Sequence, residues 1–332
     1  MAEPAVAAPV RRRSAGRHWL VQNTPLLLSF VILAATVLVW VFFYYRQLGR
    51  LPDAFDLTAV TNSVLPVVFA GIGQTVVVLT RGLDLSVGGM INLSNAVVAQ
   101  NMGDSPGSIL GWSAGVLLIG AAVGLVNGVL VAYGRLQPIL VTLATLSILQ
   151  GLAIRVLPRP GGHVPAQLTD TLTNPNSPTG LGYVALALAA WFVFRRTSLG
   201  QHIFALGNDE SAARANGVPV RRAKVLAYVI SGTCAAAAGL FLAATTTSGD
   251  ATVGDPFVLT SIAAVVLGGI SFFGGRGSAV GSVAGAFVLG LIVNVLFFAN
   301  IDPLYQSLYE GLFLIVAVVV GLAAGGLARR RT

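Results

Sequence analysis

The chain has 332 residues, of which 55% are hydrophobic and only 10% are charged. Soluble domains average about 25% charged residues, so this composition, with a mean hydropathy of +0.82, excludes an ordinary soluble globule. A net charge of +8 is compatible with nucleic-acid binding, but in a membrane protein its meaning depends on the side of the bilayer on which the charges lie.

Ten apolar runs recur along the chain, and a helix needs about 20 such residues to cross the hydrocarbon core of a bilayer. They predict an all-α polytopic membrane protein with about ten transmembrane helices. The predicted spans are 25–45, 61–80, 83–101, 109–133, 138–157, 181–194, 225–245, 258–275, 278–299 and 304–327. They form a membrane domain, residues 25–327, between an N-terminal tail of residues 1–24 and a basic C-terminal segment of residues 328–332.

The distribution of positive charge predicts the orientation. An even number of spans places both termini on one side, and four basic residues then lie on the other: Arg46, Arg50, Arg155 and Arg159. The remaining 16 of the 20 basic residues lie on the side of the termini. Because cytoplasmic segments carry the excess of lysine and arginine, we expect both termini in the cytoplasm. This bias accounts for the net charge without nucleic acid.

Two segments between spans are long and polar. Residues 158–180, on the predicted external side, are rich in proline, glycine, threonine and asparagine and form either a solvated loop or a docking surface. Residues 195–224 form the predicted cytoplasmic loop. Neither is long enough for a catalytic domain of the usual size, so we expect soluble chemistry to belong to a partner chain.

Two sets of glycines at four-residue spacing predict close helix packing. Glycines at this spacing form a smooth strip on one helix face, where the backbone of another helix can approach. The two sets are Gly120, Gly124 and Gly128, and Gly277, Gly281 and Gly285. They indicate a tightly packed bundle rather than independent membrane anchors.

Neutral polar side chains inside the predicted spans are the candidates for a solute route. An unpaired polar group in hydrocarbon costs several kcal/mol, so each of them should face other protein or a water-filled path. They are Gln74, Asn92, Asn95, Asn127, Thr142, Thr145, Ser147, Gln150 and Asn294. Any one of them is also explained by an interhelical hydrogen bond. As a set they suit a hydroxylated, uncharged solute, and we expect Asn92, Asn95 and Asn294 to line the route.

Charged residues are scarce in the predicted spans. We find Asp84 at the start of the third span and Glu310 in the last, and we expect Asp84 to fix the start of its helix. An ion-coupled carrier usually needs buried acids near the midplane. Ion coupling is therefore not expected, although ion sites built from backbone carbonyls stay open.

The chain carries no motif for nucleotide hydrolysis or metal chemistry. Lys224 is the only lysine, and its neighbours do not form the phosphate-binding loop that ATP hydrolysis requires. The histidines are dispersed and Cys234 is alone, so we predict no catalytic residues, no metal site and no cofactor. Active transport would need a nucleotide hydrolysed by another subunit.

Four motifs in order carry a resemblance to a known family. They are Gly82–Gly88 (GLDLSVG), Val141–Ser147 with Gln150–Ala153, Ser198–Gln201 followed by Ala205–Gly207, Ala212–Arg214 and Gly217, and Ile262–Gly269 with Gly274, Gly275 and Gly277. From about residue 60 to residue 320 the chain resembles the permease subunit of ribose-type ABC sugar importers of the bacterial inner membrane.

The resemblance implies ten helices per subunit, two permease subunits forming a homo- or heterodimer, two cytoplasmic ABC ATPase domains and a periplasmic or extracellular solute-binding protein. It also implies that residues 208–217 contain a coupling helix that docks on the ATPase. The residues support a short helix, with a cap at Asn208 or Asp209, an acid in the first turn, small side chains for docking and a terminating glycine. The implied coupling residues are Asn208, Asp209, Glu210, Ala212, Ala213, Arg214 and Gly217. A solvated loop held near anionic lipid by its arginines is the alternative.

Departures from the family pattern concern the solute. Asn92 and Asn95 replace residues that are usually small, and Gln150 replaces a frequent arginine. Val258 and Thr260 replace an acidic pair, and Asn294-Val295 replaces a frequent Asn-Gly. These changes leave another pentose, a hexose, a sugar alcohol or a related polyol open beside ribose. A branched-chain amino-acid permease of the same superfamily, an ion-driven carrier and a membrane enzyme are the rival hypotheses.

Overall fold

The computed structural model describes residues 15–174 and 176–302, together with six separate positions between 305 and 315. The described chain is helical and contains one isolated bridge, between Gly161 and Gly249. Twelve helices follow in order: α1 Ala15–Leu48, α2 Ala54–Leu79, α3 Val87–Asn101, α4 Pro106–Ala132, α5 Pro138–Val156, α6 Ala166–Leu172, α7 Thr179–Arg196, α8 Ser198–Asn208, α9 Glu210–Ala215, α10 Val220–Thr246, α11 Phe257–Leu267 and α12 Ala279–Phe298. The predicted all-α class is confirmed.

Six of these helices are long and apolar enough to cross a membrane: α1, α2, α4, α5, α10 and α12. The prediction of a polytopic membrane protein is therefore confirmed. Helices α4, α5 and α12 begin and end within three residues of the spans predicted from hydropathy. The expected tenth span, 304–327, and the terminal segments 1–14 and 328–332 lie mostly or wholly outside the described residues.

Helix starts follow local chemistry. The Asp53 side chain accepts hydrogen bonds from the amides of Phe55 and Asp56, at 2.9 and 3.1 Å, and the Asp56 carboxylate accepts from the Asp53 amide at 3.0 Å. This reciprocal cap begins α2. Pro106 and Pro138 begin α4 and α5, where proline costs no helical hydrogen bond.

Helices α2 and α10 form the centre of the bundle. In the most apolar stretch of α2, 78% of residues are buried, against 17% for α1. Helix α10 packs along α4, α2 and α3, and α12 packs against α1, α2 and α11. The peripheral helices α1, α4 and α5 expose large apolar side chains, which suits contact with lipid or with another apolar surface.

The first glycine set lies on the face of α4 that meets α10. A Cβ at any of these positions would overlap the backbone of the facing helix, so only glycine allows this approach. The facing pairs are Gly120 with Gly232, Gly124 with Tyr228, and Gly128 with Val225.

The second glycine set joins α11 to α12, but only two of its members are helical. Gly281 meets Gly268, and Gly285 meets the carbonyl of Ala264. Gly277 lies before the start of α12 and has a φ of +134°. The expectation of three glycines on one helix face is wrong for Gly277, which lies in the non-helical segment before α12, where an added Cβ would meet Ile270.

Helices α1, α2 and α10 begin five to ten residues before the spans predicted for them, whereas the third and eighth predicted spans are longer than the helices found. The third begins at Val87 rather than at residue 83, because a turn with Arg81 at a φ of +65° precedes it. The eighth, expected over 258–275, is helical only over Phe257–Leu267. Its glycine-rich second half takes left-handed conformations, with φ of +72° at Gly269 and +77° at Gly274, which a helix does not allow. Eleven residues extend about 16 Å, half the thickness of the hydrocarbon core.

Candidate functional site

Positive charge is concentrated at the end of the bundle where α2 and α8 end and α10 begins, called the basic end here. A cavity of about 670 Å³ opens there between α9, α10 and the α4–α5 turn. Among the described residues its lining includes five cationic side chains and one acid: Arg81, Arg135, Arg214, Arg221, Lys224 and Glu210. The cavity is therefore suited to acidic or phosphate-bearing groups.

Helix α9 lies beside this cavity and is capped at both ends. The Asp209 carboxylate accepts hydrogen bonds from the amides of Ser211 and Ala212, at 2.8 and 3.0 Å, and from the Ser211 hydroxyl at 2.6 Å. The Ser211 hydroxyl and these two amides lower the pKa of Asp209. Gly217, at a φ of +78°, donates its amide to the Arg214 carbonyl at 3.1 Å and ends the turn. Of the two predicted capping residues, Asp209 is the N-cap of α9, whereas Asn208 is the last residue of α8.

The two alanines of α9 have different surroundings. Ala212 is exposed, whereas Ala213 is only 6% exposed and its side chain is buried within the chain. The surface that α9 presents outward carries Ala212 and Arg214. A direct contact of α9 with another protein would therefore be made by Ala212 rather than by Ala213.

Ion pairs join α9 to the central helix α10. The Glu210 carboxylate accepts from Lys224 Nζ at 2.7 Å and from Arg214 Nη2 at 3.0 Å. Lys224 contributes most to lowering the pKa of Glu210, and Arg214 adds to it, while partial burial opposes them. Lys224 is half-buried in the first turns of α10, so this contact couples the position of α9 to that of α10.

Arg81 ties α8 to the turn between α2 and α3. Its Nε donates to the carbonyl of Gly207 at 2.8 Å, and its Nη2 donates to the carbonyl of Asn208 at 2.7 Å. These are carbonyls at the C-terminus of α8, where a cation is favoured. Helices α2, α8, α9 and α10 are thus linked at the basic end.

Two of the three predicted route asparagines are buried in α3 and hold one loop. Asn92 Oδ1 accepts from the amide of Gly254, and Asn95 Oδ1 accepts from the amide of Asp250 at 2.7 Å. Both amides belong to residues 247–256, the non-helical segment between α10 and α11, called the α10–α11 loop here. The two asparagines therefore position this backbone.

The third asparagine, Asn294, lies elsewhere. It donates to the carbonyl of Gly290 in its own helix at 2.9 Å and lines a cavity of about 490 Å³ between α1, α2, α11 and α12. Trp40 and Asp56 line the same cavity. The structure thus brings Asn92 and Asn95 to one loop and does not bring Asn294 to them.

A second polar network lies nearer the basic end. The Asp84 carboxylate accepts from the amide of Ser86 at 3.0 Å and from its hydroxyl, immediately before α3. Asn127 Nδ2 donates to the Ser86 hydroxyl at 3.0 Å, and the Thr145 hydroxyl donates to Asn127 Oδ1 at 2.6 Å. This chain joins α3, α4 and α5 and gives Asn127 and Thr145 the interhelical role that was the alternative to route lining.

The residue that sequence reasoning missed is Asp255. Its carboxylate is exposed in the structure and accepts from Asn92 Nδ2 at 2.7 Å and from Gln150 Nε2 at 2.9 Å. It lies between the predicted spans 225–245 and 258–275, because the next apolar run begins after it. Pro256, which immediately precedes the first helical residue of α11, is the one local signal that a short helix begins here.

Comparison with known proteins identifies the family. A family profile described as the permease component of branched-chain amino acid transport systems matches residues 57–320. The chain belongs to this permease family. Its curated relatives include the ribose import permease of Escherichia coli K12, 33% identical over 319 residues, which cover 93% of this permease and 96% of that protein.

Two further relatives carry sugar names. The fructose import permease of Rhizobium meliloti is 35% identical over 82% of this permease and 79% of its own length. The D-allose transport permease of Escherichia coli K12 is 30% identical over 88% and 90%. No solved structure matches. The chain is therefore a multi-pass inner-membrane transport subunit rather than an enzyme.

Proposed function

We propose that this permease is the membrane subunit of an ATP-driven ABC importer that carries a monosaccharide or a related small polyol across the inner membrane by alternating access. The sugar named for each relative described above, ribose, fructose or allose, supports this solute class. The neutral amides within the bundle suit a hydroxylated solute as well, because they both donate and accept hydrogen bonds.

The proposed topology has ten membrane segments with both termini in the cytoplasm. Helices α1, α2, α3, α4, α5, α7, α10, α11 and α12 account for nine segments, and residues 304–327 supply the tenth. The basic end is the cytoplasmic side, because lysine and arginine accumulate in cytoplasmic segments. The cytoplasmic loop, residues 195–224, then contains α8 and α9.

The proposed partners are a second permease subunit, a cytoplasmic ABC ATPase that hydrolyses ATP, and an external solute-binding protein. The observation that carries the ATPase assignment is the geometry of α9: a capped helix, exposed at the basic end and ion-paired through Glu210 to the central helix α10. Docking there would also use the neighbouring cationic cavity.

Two contacts would transmit a displacement of α9 to the central helices. The first is the Glu210–Lys224 ion pair, and the second is Arg81, which links α8 to the end of α2. Helix α10 in turn packs on α3, the helix of Asn92 and Asn95. We place the solute route along α3 and the end of the α10–α11 loop that carries Asp255, and the contribution of Asn294 stays a prediction.

The test is a pair of arginine substitutions at short exposed helices. Ala212→Arg places bulk and charge on the outward face of α9, so it should abolish both co-purification of the ATPase from native membranes and ATP-dependent uptake. Ala166→Arg makes the same exposed change in α6, at the other end of the bundle, and should leave the ATPase bound. Retention of a fully coupled ATPase by Ala212→Arg would remove α9 from the docking surface.

A branched-chain amino-acid permease is the second candidate, because the matching family carries that description. Uptake of leucine without uptake of any monosaccharide would establish it. An ion-coupled carrier is distinguished by uptake that survives ATP depletion and collapses with an ionophore.

A further inference from the structure

One residue of the α10–α11 loop, Asp255, places a carboxylate at a depth between the two ends of the membrane helices. Asp255 is bonded to Gln150, which lies twelve residues after the first residue of α5 and six before the last. At 1.5 Å per residue these are distances of about 18 and 9 Å along the helix axis. Asp255 therefore lies within the membrane thickness, well away from both ends of α5.

A carboxylate exposed at this depth does not face lipid. Asp255 is exposed on the single chain, and an acid in contact with hydrocarbon costs about 2.5–3.5 kcal/mol or more on insertion scales. Non-helical backbone is likewise tolerated at membrane depth only where it is buried in protein or lines a water-filled cavity. The carboxylate must therefore face a hydrated path or a polar surface of another subunit.

The two carboxylate oxygens of Asp255 have different roles. The amides of Asn92 and Gln150 both donate to Oδ1, at 2.7 and 2.9 Å. Within the described part of the chain, no donor is bonded to Oδ2. One oxygen thus fixes the orientation of the carboxylate while the other remains available as a strong acceptor. The amide oxygen of Gln150 is a second acceptor beside it.

The surroundings favour a hydroxyl donor over a cation. Calcium needs six to eight oxygen ligands and magnesium needs an octahedral shell, whereas here amide N–H groups surround Oδ1. The described residues contain no cluster of three or more His, Cys, Asp or Glu side chains. A hydroxyl group that donates to a carboxylate makes a charge-assisted bond, about twice as strong as a bond between neutral groups.

We propose that Asp255, held by Asn92 and Gln150, accepts hydrogen bonds from hydroxyl groups of the solute about one third of the way across the membrane, counted from the end of α5 opposite the basic end. This inference rests on the proposed function and names a solute contact within it. Asn92 and Gln150 act as positioning residues, and Asp255 makes the contact. Selectivity at this point would then depend on where the solute carries its hydroxyl groups.

The experiment compares Asp255→Asn with Asp250→Asn in the complete transporter reconstituted in proteoliposomes. Asp250 lies in the same loop, and among the described residues its carboxylate accepts only from the amide and hydroxyl of Thr252, both at 2.8 Å. D-Ribose, D-fructose, D-allose and their monodeoxy analogues are the probes, and KM for uptake is the readout. We expect Asp255→Asn to raise KM at least about tenfold, the factor that corresponds to one charge-assisted hydrogen bond, and Asp250→Asn to leave it unchanged.

Deoxy analogues distinguish a direct contact between Asp255 and the solute from a purely structural role of Asp255. The wild-type transporter should discriminate against the analogue that lacks the contacted hydroxyl group, and Asp255→Asn should lose this discrimination. A purely structural role would not change the pattern. Equal losses in the two variants, an unchanged KM in Asp255→Asn, or a change confined to subunit assembly would each overturn the inference. So would uptake that depends on an ion gradient through Asp255.

The experiment distinguishes a failure of the Asp255 inference from a failure of the proposed function. Sugar uptake by the wild-type transporter that is insensitive to Asp255→Asn overturns the inference alone. Wild-type uptake of leucine and of none of the sugars overturns the proposed function, and the hydroxyl contact with it.

Discussion

Close packing of α4 on α10 makes a quantitative prediction about two glycines in one helix. Gly124 lies against α10, where an added Cβ would contact the Tyr228 carbonyl and lie 2.8 Å from Val229 Cα. Gly111 is in the same helix, and an added Cβ there meets nothing within 4 Å. Replacing each by alanine therefore adds the same methyl group in two opposite environments.

The size of the difference follows from the contact. Carbon atoms pack best at about 3.5–4.0 Å, so the α10 backbone must shift by at least about 0.7 Å to accept alanine at position 124. Overpacking of this kind costs about 1–3 kcal/mol. Both substitutions gain about 1 kcal/mol of helix propensity, and this gain cancels in the comparison. Gly124→Ala should therefore be less stable than Gly111→Ala by about 1–3 kcal/mol.

Thermal unfolding of the purified permease in detergent measures this difference. At about 2–4 °C per kcal/mol for domains of 150–250 residues, the two Tm values should differ by about 2–12 °C. Gly111→Ala should unfold at or above the wild-type temperature. If Gly124→Ala were as stable as Gly111→Ala, the α4 and α10 backbones would not be in contact at this position, and the packing argument would fail.

Two predictions concern α9. Asp209→Ala removes the helix cap, so amide exchange over 210–215 should become about five-fold faster, the factor that corresponds to a typical N-cap. Asp209→Asn keeps a capping side chain and should restore most of the protection. Equal exchange in the wild type and both variants would show that the cap contributes nothing. The second concerns pH. Because Lys224 and Arg214 lower the pKa of Glu210 below its ordinary 4.5, their contact is complete above that value and is lost as pH falls through the lowered pKa. Exchange over 210–215, corrected for the intrinsic rate, should rise in that acid range, and Glu210→Gln should abolish the dependence.

Local chemistry made much of the fold predictable. Hydropathy located α4, α5 and α12 to within three residues, and a proline or serine marks the start of each. Helix α9 was foreseeable mainly from the resemblance to ABC permeases, and its capping acid and terminating glycine, which lie close in sequence, support it. These features depend on neighbours in sequence, so they can be read without knowing the tertiary structure.

Other features depend on distant parts of the chain. The glycines of α4 predicted a close approach but not that α10 is the partner. Residues 268–275 continue the apolar run of α11 without a charged residue, and hydropathy does not reveal that Gly269 and Gly274 take left-handed conformations. Asp255 acquires its role from Asn92, 163 residues earlier, and no local pattern records such a pairing.

The hold of α3 on the α10–α11 loop limits how this protein can move. Asn92 and Asn95 are one helical turn apart, and each accepts from a different main-chain amide of the loop. Pulling the loop away would strand both amides at once, at about 1–3 kcal/mol for each one left buried and unpaired. Because two of its amides are held, the loop also cannot shift by one residue along α3. The loop is therefore held in place on α3. The movements that open and close the transporter must occur in the helices around it.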